Sequence, residues 1–137
     1  MGEVNVELTL KNGADLTLVS NGHITEQNVR TMTVNAIVDT GAMTLVIGDE
    51  LRKKLGLEII KSRTATLAGG SSIHCDIAEA VEVHWKDRTA FIRPWVLQNQ
   101  HEVLLGVIPL EEMDLMVDPV NNTLVGVHGD EYVAVIR

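Results

Sequence analysis

The segment NAIVDTGAMTLVIGDELRKKLGL, residues 35–57, decides how the rest of the chain is interpreted. It opens with an apolar run that is typical of a β-strand, and this run leads directly into Asp39, Thr40 and Gly41. A second apolar run and a helix-like stretch follow. A carboxylate at the end of a buried strand is costly to desolvate unless a partner group compensates it. The segment therefore predicts a rigid strand that presents Asp39 on a loop.

Asp-Thr-Gly has a simple structural interpretation, because Asp and Gly readily adopt the geometry of a turn after a strand. A catalytic interpretation requires a second carboxylate about 3 Å away, so that the pair shares one proton and the ionised member activates a water molecule. The seven other aspartates lack an Asp-Thr-Gly or Asp-Ser-Gly setting. A second copy of the chain, related by a twofold axis, would then supply the partner carboxylate.

Length and composition favour one compact domain over residues 1–137, since hydrophobic residues make up 45% of the chain. A net charge of −8 and only four aromatic rings (one Phe, one Tyr, two Trp) argue against nucleic-acid binding. The single cysteine, Cys75, forms no internal disulfide and no metal site by itself. Without a leader-like or membrane-spanning segment, the expected protein is soluble and cytoplasmic, with no membrane partner, metal or cofactor.

Alternating apolar residues predict β-strands over much of the chain, and the first strand would bury Val4, Val6, Leu8 and Leu10. The predicted strands are residues 3–10, 31–38, 78–85, 91–97 and 131–137, with a bend or edge at Pro94. The predicted helices are residues 48–56 and 109–114. The predicted loops are KNGAD (residues 11–15), SNGHITEQN (residues 20–28), AGGSS (residues 68–72) and DPVNNT (residues 118–123). This pattern indicates a mostly antiparallel closed sheet or small barrel.

Three segments in order resemble the retropepsin-like aspartic proteases, the single-domain, retroviral-type relatives of pepsin, which also occur in cellular and bacterial proteins. AIVDTGA, residues 36–42, matches the family's apolar-apolar-Asp-Thr-Gly-Ala signature. VLLGVIPLEEMDLMVDP, residues 103–119, resembles its second signature, and TATLAGGSSIHCDIAEA, residues 64–80, resembles its flap hairpin. The resemblance implies a mostly β, pepsin-like closed barrel lobe with two short helices and a flap hairpin.

The resemblance also implies a role for each matching residue. Asp39 would be one half of the catalytic dyad, Thr40 would hydrogen-bond across the two subunits' loops, and Gly41 would contact the substrate main chain. Leu105 and Gly106 would pack beneath the loop, and the flap would close over the substrate. The implied substrate-binding residues are Ala42, Gly69, Gly70 and Ser71.

The sequence departs from many viral members at Met43 and Val107, where those members carry an aspartate and an arginine that form an ion pair. Substrate recognition and dimer support would therefore differ here. The terminal segments VNVELTL and YVAVIR are candidates for reinforcing a dimer. The preferred function is a homodimeric aspartic endopeptidase acting on peptides or proteins. The alternatives are a catalytically silent module for dimerisation or peptide binding, and a unit that processes only its own precursor.

The other chemically distinctive residues have structural interpretations. His74 and Cys75 are neighbours on a predicted strand, so their side chains would point to opposite faces rather than form a nucleophile and base pair. Trp85 and Trp95 are interpreted as core residues or groove walls. Met113 and Met116 are interpreted as core residues.

Overall fold

The computed structural model describes residues 2–133, and most of its regular structure is β. The strands are β1 (Asn5–Asn12), β2 (Thr31–Val38), β3 (Leu45–Gly48), β4 (Ile59–Thr66), β5 (Ser72–Ala78), β6 (Val81–Trp85), β7 (Arg88–Ile92), β8 (Trp95–Leu97), β9 (Val103–Leu105), β10 (Leu115–Asp118) and β11 (Thr123–Gly126). The helices are α1 (Gly13–Ser20), α2 (Asp49–Leu55) and α3 (Val107–Glu112), with one 3-10 turn, Glu26–Asn28.

Nine strands form one curled half-barrel sheet, in the order β4-β5-β8-β3-β9-β2-β1-β6-β7, and β10 pairs with β11 separately. Most neighbours are antiparallel, as the sequence predicts, but β2 runs parallel to β9 and β3 runs parallel to β8. Because β9 lies between β2 and β3, the end of β9 adjoins the loop that follows β2. This topology brings the two predicted signature segments together.

The core is built from the inward faces of these strands. The predicted alternation in β1 is confirmed, since Val4, Val6, Leu8 and Leu10 are all buried. Burying each such side chain contributes roughly 1.5–3 kcal/mol relative to leaving it in water. Trp85 belongs to this core, whereas Trp95 is only half-buried.

Several predicted strands and helices agree closely with those of the structure. β2 spans residues 31–38 as predicted, and α2 ends at Leu55, directly before Gly56, whose left-handed backbone (φ +68°) favours glycine. The predicted strand over residues 91–97 is interrupted at Pro94, which separates β7 from β8. The last predicted strand, residues 131–137, lies mostly outside the described residues, and residues 131–133 are not in a strand.

The prediction of a loop at KNGAD was wrong. β1 continues to Asn12 and α1 begins at Gly13, so the chain carries a helix that was not predicted. Asn12 Oδ1 accepts a hydrogen bond from the Asp15 amide (3.0 Å), and Asn12 Nδ2 donates to the Leu55 carbonyl (2.8 Å). An asparagine that is typical of turns thus serves as a helix cap.

Met116 was also predicted wrongly. Met113 is fully buried, as expected, but Met116 lies on the outward face of β10 and is 49% exposed. Adjacent residues of a strand point to opposite faces, so Leu115 is buried and Met116 is not. Among the helices of residues 2–133, none is long and apolar enough to cross a membrane.

A buried arginine anchors the last described segment to the body of the domain. Arg88, at the start of β7, is 3% exposed. Its Nη1 donates to the carbonyls of Met113 (3.0 Å) and Asp114 (2.8 Å), and its Nη2 donates to those of Gly129 (2.7 Å) and Glu131 (3.4 Å). The guanidinium therefore joins β7, the end of α3 and the segment after β11.

Candidate active site

Asp39 follows β2, and its loop fixes the direction of its carboxylate. The Asp39 amide donates to the Leu105 carbonyl in β9 (3.0 Å), which holds the loop against the sheet. The Gly41 amide donates to Asp39 Oδ1 (2.9 Å), and the Ala42 amide donates to the Asp39 carbonyl (3.0 Å). Asp39 itself is half-buried. The carboxylate is therefore oriented by its own loop and remains open to the outside.

Gly106 lies directly beneath this loop, as the resemblance implied. The Val107 amide donates to the Ala42 carbonyl (3.0 Å), and the Ile108 amide donates to the Met43 carbonyl (2.9 Å). A Cβ at Gly106 would lie only 2.4 Å from the Thr44 carbonyl oxygen and 2.5 Å from that of Ala42. Two segments distant in sequence thus support one another through backbone contacts that need a residue without a side chain.

Asp39 lines a cavity of about 500 Å³, which we call the Asp39 cleft. Asp39, Gly41 and Ala42 form one wall, and residues 63–68 of β4 and the following turn form part of another. Trp95 also lines the cleft. Met43 and Trp95 also line a second cavity of about 440 Å³. Phe91 of β7 and Arg93, which follows β7, line the same cavity.

The β4–β5 hairpin is present where a flap was expected. Its turn is closed by hydrogen bonds from the Leu67 amide to the Ser71 carbonyl (2.8 Å) and from the Gly70 amide to the Leu67 carbonyl (2.9 Å). Gly70 has a left-handed backbone (φ +87°). Gly69, Gly70 and Ser71 are exposed at the tip and do not line the Asp39 cleft, whereas Ala42 does. The role of the three tip residues in substrate binding stays a prediction.

Thr40 is exposed beside Asp39. Among the hydrogen bonds found within residues 2–133, none involves its hydroxyl group. The side chain is therefore free to bond a group outside the chain, and its expected bond to a second subunit stays a prediction.

The structure adds Arg63, which the sequence did not assign to the site, and places it beside Trp95. Arg63, on β4, lines the cleft, and its Cζ lies 5.6 Å from the ring centre of Trp95 on β8. The sequence motif around Asp39 does not identify these two residues, because they belong to other strands. It is the order of the strands in the sheet that brings β4 and β8 to the cleft. Trp95 is thus a groove wall, one of its two expected positions.

His74 and Cys75 point to opposite faces of β5, as predicted. His74 is exposed and its Nε2 lies 3.2 Å from Asp76 Oδ1, whereas Cys75 is buried, which raises the pKa of its thiol. A buried thiol held in its neutral form is a poor nucleophile. In the part of the chain that the structure describes, no three His, Cys, Asp or Glu side chains are grouped so as to hold a metal ion.

Comparison with solved structures supports the same architecture. The chain is similar to the retroviral protease-like domain of Ddi1 from Leishmania major, with 17% identity, a TM-score of 0.56, and coverage of 91% of this chain and 88% of that one. It is also similar to a retropepsin-like aspartic protease from Rickettsia conorii, with 22% identity, a TM-score of 0.54, and coverage of 85% of each chain. At these identities the likeness shows the fold.

Sequence comparison shows the family. No curated protein matches the chain. The model of one family, described as aspartyl protease, matches residues 24–107, a range that contains both the Asp39 loop and Gly106. With the matched range covering more than half of the residues, and with the retropepsin-like fold around Asp39, the chain belongs to the aspartyl protease family.

Proposed function

We propose that the protein is a homodimeric aspartic endopeptidase in which each subunit contributes Asp39 to one catalytic dyad. The observation that carries this proposal is the position of Asp39, which is held by its own loop in the wall of a cleft beside the β4–β5 hairpin. A cleft of about 500 Å³ accommodates several side chains of an extended peptide. Each chain offers one such aspartate, so the dyad requires two chains.

In the proposed mechanism, the two Asp39 carboxyl groups share one proton. The ionised group takes a proton from a water molecule as that water attacks the scissile carbonyl carbon. The protonated group donates a hydrogen bond to the carbonyl oxygen, which becomes negatively charged. Collapse of the tetrahedral intermediate breaks the C–N bond, and the departing nitrogen receives a proton from the dyad.

The neighbouring residues have supporting roles in this proposal. The exposed Thr40 hydroxyl would bond the partner's loop, which would hold the two carboxylates in register. Gly41 would allow the substrate main chain to approach. Gly69, Gly70 and Ser71 would move with the hairpin tip as it closes over the peptide, and closure would exclude bulk water.

We also propose a cytoplasmic location, on the ground that the chain's single cysteine is buried and forms no internal disulfide. The proposed substrates are peptides or proteins in extended conformation.

The test follows cleavage of an unstructured protein pool across pH by mass spectrometry, comparing wild type with Asp39→Asn. Asparagine keeps an oxygen that accepts the Gly41 amide bond, so the loop is preserved while the ionisable group is lost. We expect cleavage to fall by about 10³-fold or more, since general acid and base catalysis both disappear. Asp130→Asn, at an exposed aspartate outside the cleft, is the matched control and should cleave like wild type.

Equal product patterns from wild type and Asp39→Asn, in samples shown to be folded and dimeric, would contradict the proposal. Binding of peptides without cleavage would then indicate a silent peptide-binding module. Cleavage restricted to sites within the chain's own precursor would indicate a self-processing unit.

A further inference from the structure

The charge at the Asp39 cleft differs from the charge of the chain as a whole. The chain carries a net charge of −8, whereas among residues 2–133 the charged residues that line the cleft are one acidic residue, Asp39, and one basic residue, Arg63. The adjoining cavity adds Arg93 and Glu112. Glu112 Oε2 is already engaged, because it accepts a hydrogen bond from the Phe91 amide. The two cavities are therefore lined by two guanidinium groups and by two carboxylates, Asp39 and Glu112, each of which accepts a hydrogen bond from a backbone amide.

Arg63 and Arg93 differ from the arginines that have structural roles. Arg30, Arg52 and Arg88 each pair with an aspartate of the chain. Within residues 2–133, no ion pair involves Arg63 or Arg93. Within the described residues, Arg63 at the cleft and Arg93 at the second cavity therefore lack the carboxylate partner that the other three arginines have.

The exposed side chain of Arg63 lies close to the ring of Trp95. The Arg63 guanidinium carbon lies 5.6 Å from the Trp95 ring centre, within the range of a cation–π contact. A guanidinium held against an aromatic ring keeps in-plane N–H groups available, and two of them match the two oxygens of a carboxylate. Holding the group in advance also reduces the side-chain entropy lost when a ligand binds.

We infer that the Asp39 cleft selects peptides with a glutamate or aspartate side chain near the scissile bond, and that Arg63 on Trp95 is the residue that binds this carboxylate. The inference rests on the proposed endopeptidase function and names its substrate class. Charge complementarity supports it, because Arg63 lines the space that the peptide would fill and forms no ion pair within residues 2–133. Arg93 extends the same preference to a more distant residue of the peptide, because Trp95 borders both cavities.

The first test uses pairs of peptides that differ only by Glu and Gln at one position, scanned along the peptide. We expect kcat/KM to favour the Glu peptide by about five-fold or more at one position near the scissile bond. Arg63→Gln should abolish this preference, and Arg63→Glu should reverse it toward a Lys peptide. Lys61→Gln is the matched control, since it removes a cation from the same strand at an exposed position outside the cleft lining, and it should keep the wild-type ratio.

The second test measures binding without cleavage. Asp39→Asn, with Arg63 intact, should bind the Glu peptide more tightly than the Gln peptide, and Asp39→Asn with Arg63→Gln should bind both equally, by fluorescence anisotropy. The preference should disappear below about pH 4, where the peptide's glutamate becomes protonated.

The two tests separate the inference from the proposed function. If wild type cleaves no peptide but the binding preference depends on Arg63, the endopeptidase proposal fails, while the preference of the cleft for acidic peptides and the role of Arg63 hold. If wild type cleaves Glu and Gln peptides equally at every position, and Arg63→Gln changes neither binding nor cleavage ratios, the inference is overturned while the endopeptidase proposal holds.

Discussion

Gly106 supports the Asp39 loop at the scale of a single residue. Because a Cβ there would lie 2.4 Å from the Thr44 carbonyl oxygen, Gly106→Ala must displace backbone rather than a flexible side chain. We expect it to lower the free energy of unfolding by about 1–3 kcal/mol, the usual cost of overpacking. We also expect proteolytic activity to fall further than stability alone explains, since the loop that carries Asp39 would shift.

Gly69→Ala provides the comparison for Gly106→Ala. A Cβ at Gly69 would meet no atom within 4 Å, so this variant should keep wild-type stability in denaturant unfolding. Equal stability of the two variants would contradict the packing argument.

The residues of the Asp39 loop were predictable because their signal is local. Asp39 and its neighbours form a short contiguous motif, and Gly106 lies in a second motif of the same kind. Arg63 and Trp95 could not be found in this way. They come from strands that are joined only by the order of the sheet, and an isolated arginine in a strand resembles any solvent-exposed residue.

At the scale of elements, the strands β1, β2, β6, β7 and β8 and the helix α2 were predicted from apolar periodicity and end signals, whereas α1 was not. The buried residues of α1 are Gly13 and Asp15, so no apolar stripe marks it as a helix. Its stability depends instead on polar contacts that the sequence does not reveal. The Asp15 carboxylate accepts hydrogen bonds from the backbone amide, Nε and Nη2 of Arg30 (2.9, 2.9 and 2.8 Å).

The Asp15–Arg30 pair should make stability depend on pH. The hydrogen bonds from Arg30 lower the pKa of the Asp15 carboxyl below its ordinary value. A lowered pKa in the folded state stabilises the protein above the unfolded-state pKa, and this contribution is lost as the pH falls through the folded-state pKa. Asp15→Asn should therefore lower the free energy of unfolding at pH 7 by about 1 kcal/mol, a modest value because Arg30 is half-exposed.

The measurement is urea unfolding of wild type and Asp15→Asn between pH 7 and pH 3. The difference in the free energy of unfolding between the two proteins should decrease as the pH approaches 3. A difference that stays constant over this range would show that the charge of Asp15 is not what stabilises α1. Asp130→Asn, at an exposed aspartate, should have the same free energy of unfolding as wild type at pH 7 and at pH 3.

At the scale of the whole molecule, the proposed dyad needs one Asp39 from each of two chains, so activity should depend on dimer formation. Mixing wild type with a threefold excess of Asp39→Asn should place most wild-type subunits in dimers with only one Asp39. With random pairing, activity per wild-type subunit should fall to about one quarter. Dilution of wild type alone should lower its specific activity as dimers dissociate.

The mixing experiment is read by initial rates on one peptide, with sedimentation velocity on the same samples. An excess of Asp130→Asn should leave the activity per subunit undiminished, because its dimers keep both Asp39 residues. Activity that is unaffected by the Asp39→Asn subunit would show that one chain is sufficient.

The Arg88 anchor has a consequence for the timing of folding during synthesis. Within residues 2–133, Arg88 Nη2 donates only to the carbonyls of Gly129 and Glu131, which follow Arg88 by 41 and 43 residues. Until residue 131 has left the ribosome, a closed core would enclose a guanidinium with unsatisfied donors, which is costly. We therefore expect the hydrogen bonds of the Arg88 side chain to be complete only after residue 131 has been translated. We expect fragments that end before Gly129 to lack the closed core and, with it, the activity proposed for the Asp39 cleft.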